Sequence, residues 1–293
     1  MHRFRQLLVG LANQPADAEL IRYVARVASL GTARRVQFVH VLTGDSNHSR
    51  QSALEQVRYR VGEHLPLEPG VEVCCEVVEG TREDRLLSWA LDHQIDLILV
   101  GHGKGRAGRK SLARRLAMKA PCSVWMVSEG ARPVFRRVLV PVDFSAPSAD
   151  ALAVAASLVQ LQGSGELLTL HVYFNELMVS FEEYADTLRR QEEGLLRAFD
   201  ERVAGLGVPI QALVEQSPNV AQAILKVAQA HRVDLLVMST RGRSCSAAVL
   251  LGSVTEDVIV DTHLPLLAVK HFGAKLGLLQ ALLRASEHPP HYN

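Results

Sequence analysis

The chain is written twice, and this constrains its fold more than any other feature. Leu7-Leu8-Val9 returns as Val138-Leu139-Val140 and Val39-His40-Val41 as Leu170-His171-Val172, each 131 residues later. Asp96-Leu97-Ile98-Leu99-Val100 returns as Asp234-Leu235-Leu236-Val237-Met238 after 138 residues, and Ala120-Pro121 as Leu264-Pro265 after 144. A chain of 293 residues at roughly 150 per domain gives the same count of two. The first step in the offset, 7 residues, falls in the second helix or its loops, where length is cheap. The second, 6 residues, is assigned to the loop after the fourth strand, where ligand chemistry is expected, so the two halves should differ in function.

Within each copy, short runs of β-branched and leucine residues alternate with segments of helical apolar spacing. This is the pattern of a parallel sheet covered by helices on both faces. Strands are expected near residues 5–10, 36–42, 71–78, 96–101 and 122–127, and again near 137–142, 167–173, 208–214, 234–239 and 265–270. The predicted fold is α/β, with two tandem open parallel five-stranded sheets: one domain over 1–130, a second over 134–272 and a tail over 273–293. Gly130 and Pro133 mark a linker from Gly130 to Arg136. Ala149, Leu152, Ala153, Ala156 and Leu158 are expected to line one helix face, and Phe181 to Val203 to form a longer charged helix. In the tail, Leu276, Leu279, Leu282 and Leu283 suit a short amphipathic helix that packs on the protein or a partner.

Hydrophobic residues at 48% and charged residues at 22% are those of a folded globular chain. No apolar run is long enough to span a bilayer and the first residues do not read as a signal peptide, so a cytoplasmic protein without membrane association is expected. The net charge of +1 argues against nucleic acid as a partner. The halves differ, with 18 basic and 14 acidic residues up to Gly130 and 14 and 17 after it. The segment Lys104, Arg106, Arg109, Lys110, Arg114, Arg115 and Lys119 carries the difference, and a solvated helix face explains it most simply. Cys74, Cys75, Cys122 and Cys245 suit ordinary thiols, and neither their spacing nor that of the 12 histidines suggests a metal site. His40 and His171 hold matching places and are read as structural or pocket-wall residues.

Open parallel sheets bind ligands outside the carboxyl ends of their strands, where strand order reverses. In the second copy that directs attention to Pro141-Val142-Asp143-Phe144-Ser145, to Leu170-His171-Val172, and to Met238-Ser239-Thr240-Arg241-Gly242. Nine residues after Gly242 come Gly252-Ser253, at the start of a helix with Thr255-Glu256-Asp257 in its first turn. A glycine-containing loop that returns to a helix start offers backbone N–H groups, a hydroxyl and the positive helix end to phosphates. These residues resemble the universal stress protein family and its G-x2-G-x9-G-[S/T] ATP-binding signature, and the resemblance covers nearly the whole chain as two tandem copies. It implies a Rossmann-like, adenine nucleotide alpha hydrolase-like fold and a stress-response regulator or sensor that binds ATP, with or without Mg²⁺. Asp143 and the backbone of Pro141 and Val142 would then face adenine or ribose, and Val172 would offer its backbone to adenine. Met238, Ser239, Arg241 and Gly242 would line the ribose and phosphate side, with Gly252, Ser253 and Val254 over the phosphates. Ser239 departs from the signature, which begins with glycine.

The first copy resembles the same fold with the site removed: Ala12 falls near the place of Asp143, and its phosphate loop is shorter. It is not expected to bind ATP in the family mode. Gly103 to Gly108 spells GxGxxG, but after the fourth strand rather than the first, and the near P-loop over Gly103 to Ser111 lacks the required lysine and hydroxyl positions. Neither Ser145 nor Ser253 lies in a GxSxG elbow or has an evident histidine base, so no catalytic residue is assigned and any ATP hydrolysis should be slow. The fifth strand of each copy, Cys122 to Val127 and Pro265 to Lys270, is expected to be an edge that needs cover. Pairing of the two copies inside the chain, or a homo-oligomer, would supply it. A scaffold that binds no nucleotide and a slow ATPase are the competing functions.

Overall fold

The computed structural model describes residues 4–30, 33–44, 49–66, 70–103, 111–174, 182, 186, 199–201, 203–242 and 251–270. The first copy runs β1 (Gln6–Leu11), α1 (Asp17–Ala28), β2 (Arg35–Leu42), α2 (Arg50–His64), β3 (Glu72–Glu79), α3 (Arg82–Asp92), β4 (Leu97–His102), α4 (Leu112–Lys119) and β5 (Ser123–Ser128). The second runs β6 (Arg137–Pro141), α5 (Ala146–Gln162), β7 (Glu166–Tyr173), β8 (Ile210–Gln216), α6 (Val220–Ala230), β9 (Leu235–Ser239), α7 (Ser253–Asp261) and β10 (Leu266–Val269). Each strand lies within two residues of its expected bounds.

The strands form one ten-stranded sheet in the order β3-β2-β1-β4-β5-β10-β9-β6-β7-β8, rather than two separate sheets. Within each copy every pairing is parallel, and strand order reverses between β1 and β4 and between β6 and β9. The copies join where β5 pairs antiparallel with β10, through Leu266–Met126, Leu267–Trp125 and Ala268–Val124. Both strands are buried along their length. Each would therefore expose unpaired backbone in an apolar setting if it stood alone, and a two-fold arrangement of like units brings like edges together antiparallel.

The two-residue period of a strand sends alternate side chains to opposite faces, and each face carries a core that runs through both copies. Leu7, Val9, Trp125, Val138 and Leu267 belong to one, with α1 and α5 over them. Leu8, Ile98, Met126, Leu139 and Leu266 belong to the other, under α3, α4, α6 and α7. At the seam Tyr23, Trp125 and Phe135 stack in edge or tilted geometry with ring centroids 5.3–5.8 Å apart. Phe135, near the end of the expected linker, is fully buried in this core. Helix α5 is buried almost all round rather than on one face, with Val154 and Ala155 as enclosed as Ala149 and Leu152, whereas Ala153 is half-buried.

Repeat-equivalent residues repeat their local geometry. The carboxylate of Asp96 accepts from the backbone N–H of Arg5 and Gln6 at the start of β1, and that of Asp234 accepts from Arg137 at the start of β6. Among the described residues, the non-glycine positions with positive φ fall into equivalent pairs: Asn13 and Phe144 in the turns after β1 and β6, Gln94 and Arg232 after α3 and α6. The last two close Schellman turns, with Ile95 N–H donating to Ala90 and Val233 N–H to Ala228.

The ladder corrects one match made on sequence. Ile98 pairs with Val124 and Leu236 with Leu266, so the final offset is 142, not the 144 of the Ala120-Pro121 and Leu264-Pro265 pairing. The loop after the fourth strand therefore differs by four residues rather than six. Most of the expected helix from Phe181 to Val203 and the whole tail beyond 270 lie outside the described residues, as do Lys104 to Lys110 and Cys245. Of the basic segment, Arg114 pairs with Glu256, while Arg115 and Lys119 pair with Glu83.

Because both cores cross the seam, urea is expected to unfold the chain in one transition seen alike by circular dichroism and by tryptophan fluorescence; two separated transitions would contradict this. Phe135→Ala should cost about 3–5 kcal/mol in the same measurement. Arg232→Gly should instead stabilise by about 0.5–1 kcal/mol, since glycine takes the left-handed conformation without a steric penalty.

Candidate functional site

The turn after β6 begins with backbone geometry. Val142 N–H donates to Leu170 O at 2.9 Å, which extends the strand pairing by one residue. Nδ1 of His171 lies 3.0 Å from Val142 O, and since a carbonyl only accepts, Nδ1 carries the proton. His40 does the same to Leu11 O at 3.1 Å, so both histidines are structural, as their matching places suggested. Phe144 then turns left-handed at φ 63° and lays its ring on His171, with centroids 4.5 Å apart.

That turn presents Asp143. Its Oδ1 accepts from Ser145 N–H at 3.1 Å and Ser145 Oγ at 2.5 Å, while Ser145 caps α5. Its Oδ2 stands 2.9 Å from the point where a Cβ on Gly242 would sit. A side chain at this position would have to push the Asp143 carboxylate aside, and the φ of Gly242 is not in the left-handed range. Two turns separated by about a hundred residues are thus brought together.

The turn after β9 is tied to α7. Ser239 Oγ donates to Arg241 O at 2.6 Å, so the hydroxyl folds back on its own turn, and Ser239 does not adopt the positive φ that would have favoured glycine. Thr255 Oγ1 donates to Ser239 O at 2.9 Å, Gly252 N–H to Thr240 O at 2.8 Å and Thr240 N–H to Val269 O at 3.0 Å. Gly252 is the N-cap of α7 and supplies no side-chain cap, whereas Ser111 caps the equivalent α4 by accepting from Arg114 N–H. Ser253 is exposed and Val254 half-buried at this uncapped start.

The remaining expected residues divide by burial. Val142 and Met238 turn their side chains into the core and leave only backbone for a ligand, while Pro141, Val172 and Arg241 are half-buried. Residues 243–250, the centre of the expected phosphate loop, lie outside the described residues. Among the described residues, no group of three His, Cys, Asp or Glu side chains is placed to hold a metal ion, and no helix is long and apolar enough to cross a membrane.

Sequence reasoning placed Thr255 and Lys270 without their roles: Thr255 latches α7 to β9. Lys270 ends the apolar run Pro265 to Val269, and that lone charge was the available signal. The antiparallel seam buries it to 5% exposure, with Nζ donating to Met118 O at 3.0 Å on the other copy. Burial first, and then the Arg241 guanidinium, push its ammonium down to about 8. Cys122 is buried beside the same seam, and burial pushes its thiol up.

The comparisons agree with this architecture. The model of the universal stress protein family matches residues 3–128 and 135–270, and the chain belongs to that family, in tandem form. A universal stress protein from Thermus aquaticus is 32% identical over 140 residues, covering 47% of this chain and all of its own. One from Methanocaldococcus jannaschii is 25% identical over 158 residues, covering 47% of this chain and 96% of its own. The solved structure of a putative universal stress protein from Pseudomonas aeruginosa covers 96% of this chain and 98% of its own, with TM-score 0.71 at 17% identity, a likeness of fold.

A lysine whose folded-state pKa is depressed binds fewer protons folded than unfolded between about pH 8 and its ordinary value, so stability rises with pH across that window. Below it, a buried ammonium is a standing cost. Lys270→Met should therefore raise stability at pH 7 by about 1–3 kcal/mol, and the gain should fade as the pH of the urea titration is raised through the window.

Proposed function

We propose that the chain is an ATP-binding regulator or sensor of the stress response, with one nucleotide held by the C-terminal copy at the carboxyl ends of β6, β7 and β9. The observation that carries this reading is the approach of the Asp143 carboxylate to Gly242, beside a helix start left without a side-chain cap. In this reading Asp143 accepts from the nucleoside hydroxyls or base and Arg241 meets the phosphates. The N–H groups at Ser253 and Val254 take the place of the missing cap with phosphate oxygens. Ser239 is tolerated because its hydroxyl is spent on its own turn. Mg²⁺ accompanying ATP would be held by phosphate oxygens and water.

The N-terminal copy lacks the carboxylate, with Ala12 in place of Asp143, and takes no ATP in this mode. Among the described residues none near the expected phosphates is placed as a general base, and in this reading any turnover is slow. The work is done in the cytoplasm. The edges expected to seek a partner are used up inside the chain, which leaves β3 and β8 as the outer strands.

Small molecules released from gently purified protein and identified by mass spectrometry, with calorimetric titration of ATP and Mg²⁺, test the reading. One ATP per chain is expected. Gly242→Ala, whose new methyl must displace the Asp143 carboxylate, and Asp143→Ala should each weaken ATP by about tenfold or more while leaving the fold intact. Two per chain would overturn the assignment of the first copy. No nucleotide and no binding heat would leave a scaffold as the function.

A further inference from the structure

We propose that the seam selects its partner: two residue pairs on the molecule's internal two-fold axis admit an N-terminal copy against a C-terminal one and reject either copy against its own kind. The register locates the axis. β5 and β10 are related by the offset of 142, so Val124, Trp125 and Met126 correspond to Leu266, Leu267 and Ala268. The ladder joins Leu266 to Met126, Leu267 to Trp125 and Ala268 to Val124. Exchange of the two copies maps this set of pairs onto itself and turns Trp125–Leu267 into its own reverse. That pair therefore stands on the axis.

The helices beside the seam hold a second such pair. Ala120 ends α4 by donating its N–H to Leu116 O, and Thr262 ends α7 by donating to Val258 O, each at 2.8 Å, so the same offset of 142 relates the two helices. Arg114 and Glu256 each stand six residues before those caps and are equivalent. They also touch, with Nε and Nη2 of Arg114 donating to Glu256 Oε1 at 3.0 and 2.6 Å. A residue in contact with its own equivalent lies at the axis, and a true two-fold would set it against an identical side chain.

Both pairs join unlike residues. Two N-terminal copies joined in this manner would oppose Arg114 to Arg114 and force two indoles into a fully buried space that holds one indole and one leucine. Two C-terminal copies would oppose Glu256 to Glu256 and leave two leucines in that space. Overpacking, a void and half-buried like charges each weaken a seam. The Arg114 and Glu256 side chains are 17% and 25% exposed, so water screens their charges only in part. A half-buried ion pair adds little to stability over apolar neighbours of the same size, and its effect is on which surfaces meet. The partner this edge fits is a unit with the opposite charge and the complementary volume on its axis, which the same chain supplies.

Urea unfolding of the full chain tests this, because a single charge reversal recreates inside one chain the meeting of like copies. Arg114→Glu sets two carboxylates on the axis and Glu256→Arg two guanidinium groups, and each should lower the urea midpoint. The two reversals together restore an unlike pair. Their midpoint should lie above that of Glu256→Arg alone, with a loss smaller than the sum of the single losses. What either residue does with the rest of the chain cancels in this cycle. Arg114→Gln, Glu256→Gln and their combination, which introduce no new charge, supply the same cycle should a reversed chain fail to fold. Strictly additive losses in the cycle that folds, or reversals that leave the midpoint unmoved, would overturn the proposal.

Discussion

Three residue pairs between β5 and β10 hold the rest of this molecule in place. In each parallel five-stranded unit the fifth strand is an edge, and β5 and β10 are buried along their whole length. Their unpaired backbone must be satisfied by another strand. Because the chain carries two copies of the unit, it satisfies this demand with itself, and both hydrophobic cores become continuous through the seam. The seam then decides features that neither copy has alone. It buries Lys270 against a carbonyl of the opposite copy, encloses Phe135 between Tyr23 and Trp125, and sets Arg114 on α4 against Glu256 on α7.

The same antiparallel arrangement places each copy's crevice beside the other copy. The start of β10 lies next to the end of β5, so His263 acts electrostatically on His102 in the first copy's crevice. The end of β10 lies next to the start of β5, so Lys270 feels Arg241 from the second copy while bonding to the first. Groups from both halves thus stand beside His102 and beside Lys270.

Much of this was legible in the residues. Strand positions, strand type and the doubling came from period and repetition, because an apolar run bounded by turn residues has few other ways to bury itself. The pairing of the fifth strands was expected from their lack of cover. The turns carrying Asp143, Ser239 and Gly242 stood out because parallel sheets bind ligands outside the carboxyl ends of their strands, and the roles of these residues came from the family resemblance. The repeat pairing through Pro121 and Pro265 slipped by two residues, since proline between helix and strand marks a turn without fixing its register. The one-faced reading of α5 failed for a different reason. Alanine-rich sequence is as compatible with a helix buried all round as with one on a surface.

What the sequence determined by itself is local and periodic: two α/β units, their strands, their crossover helices, and turns able to approach a ligand. Those follow from side-chain chemistry read along the chain. What only the tertiary structure decided depends on residues far apart in sequence. The closeness of the Asp143 carboxylate to Gly242 and the burial of Lys270 at the seam have no signature in spacing. They arise because a parallel sheet carries the ends of separated strands to one edge, and because the closing of two such sheets along a shared edge buries whatever happens to stand there.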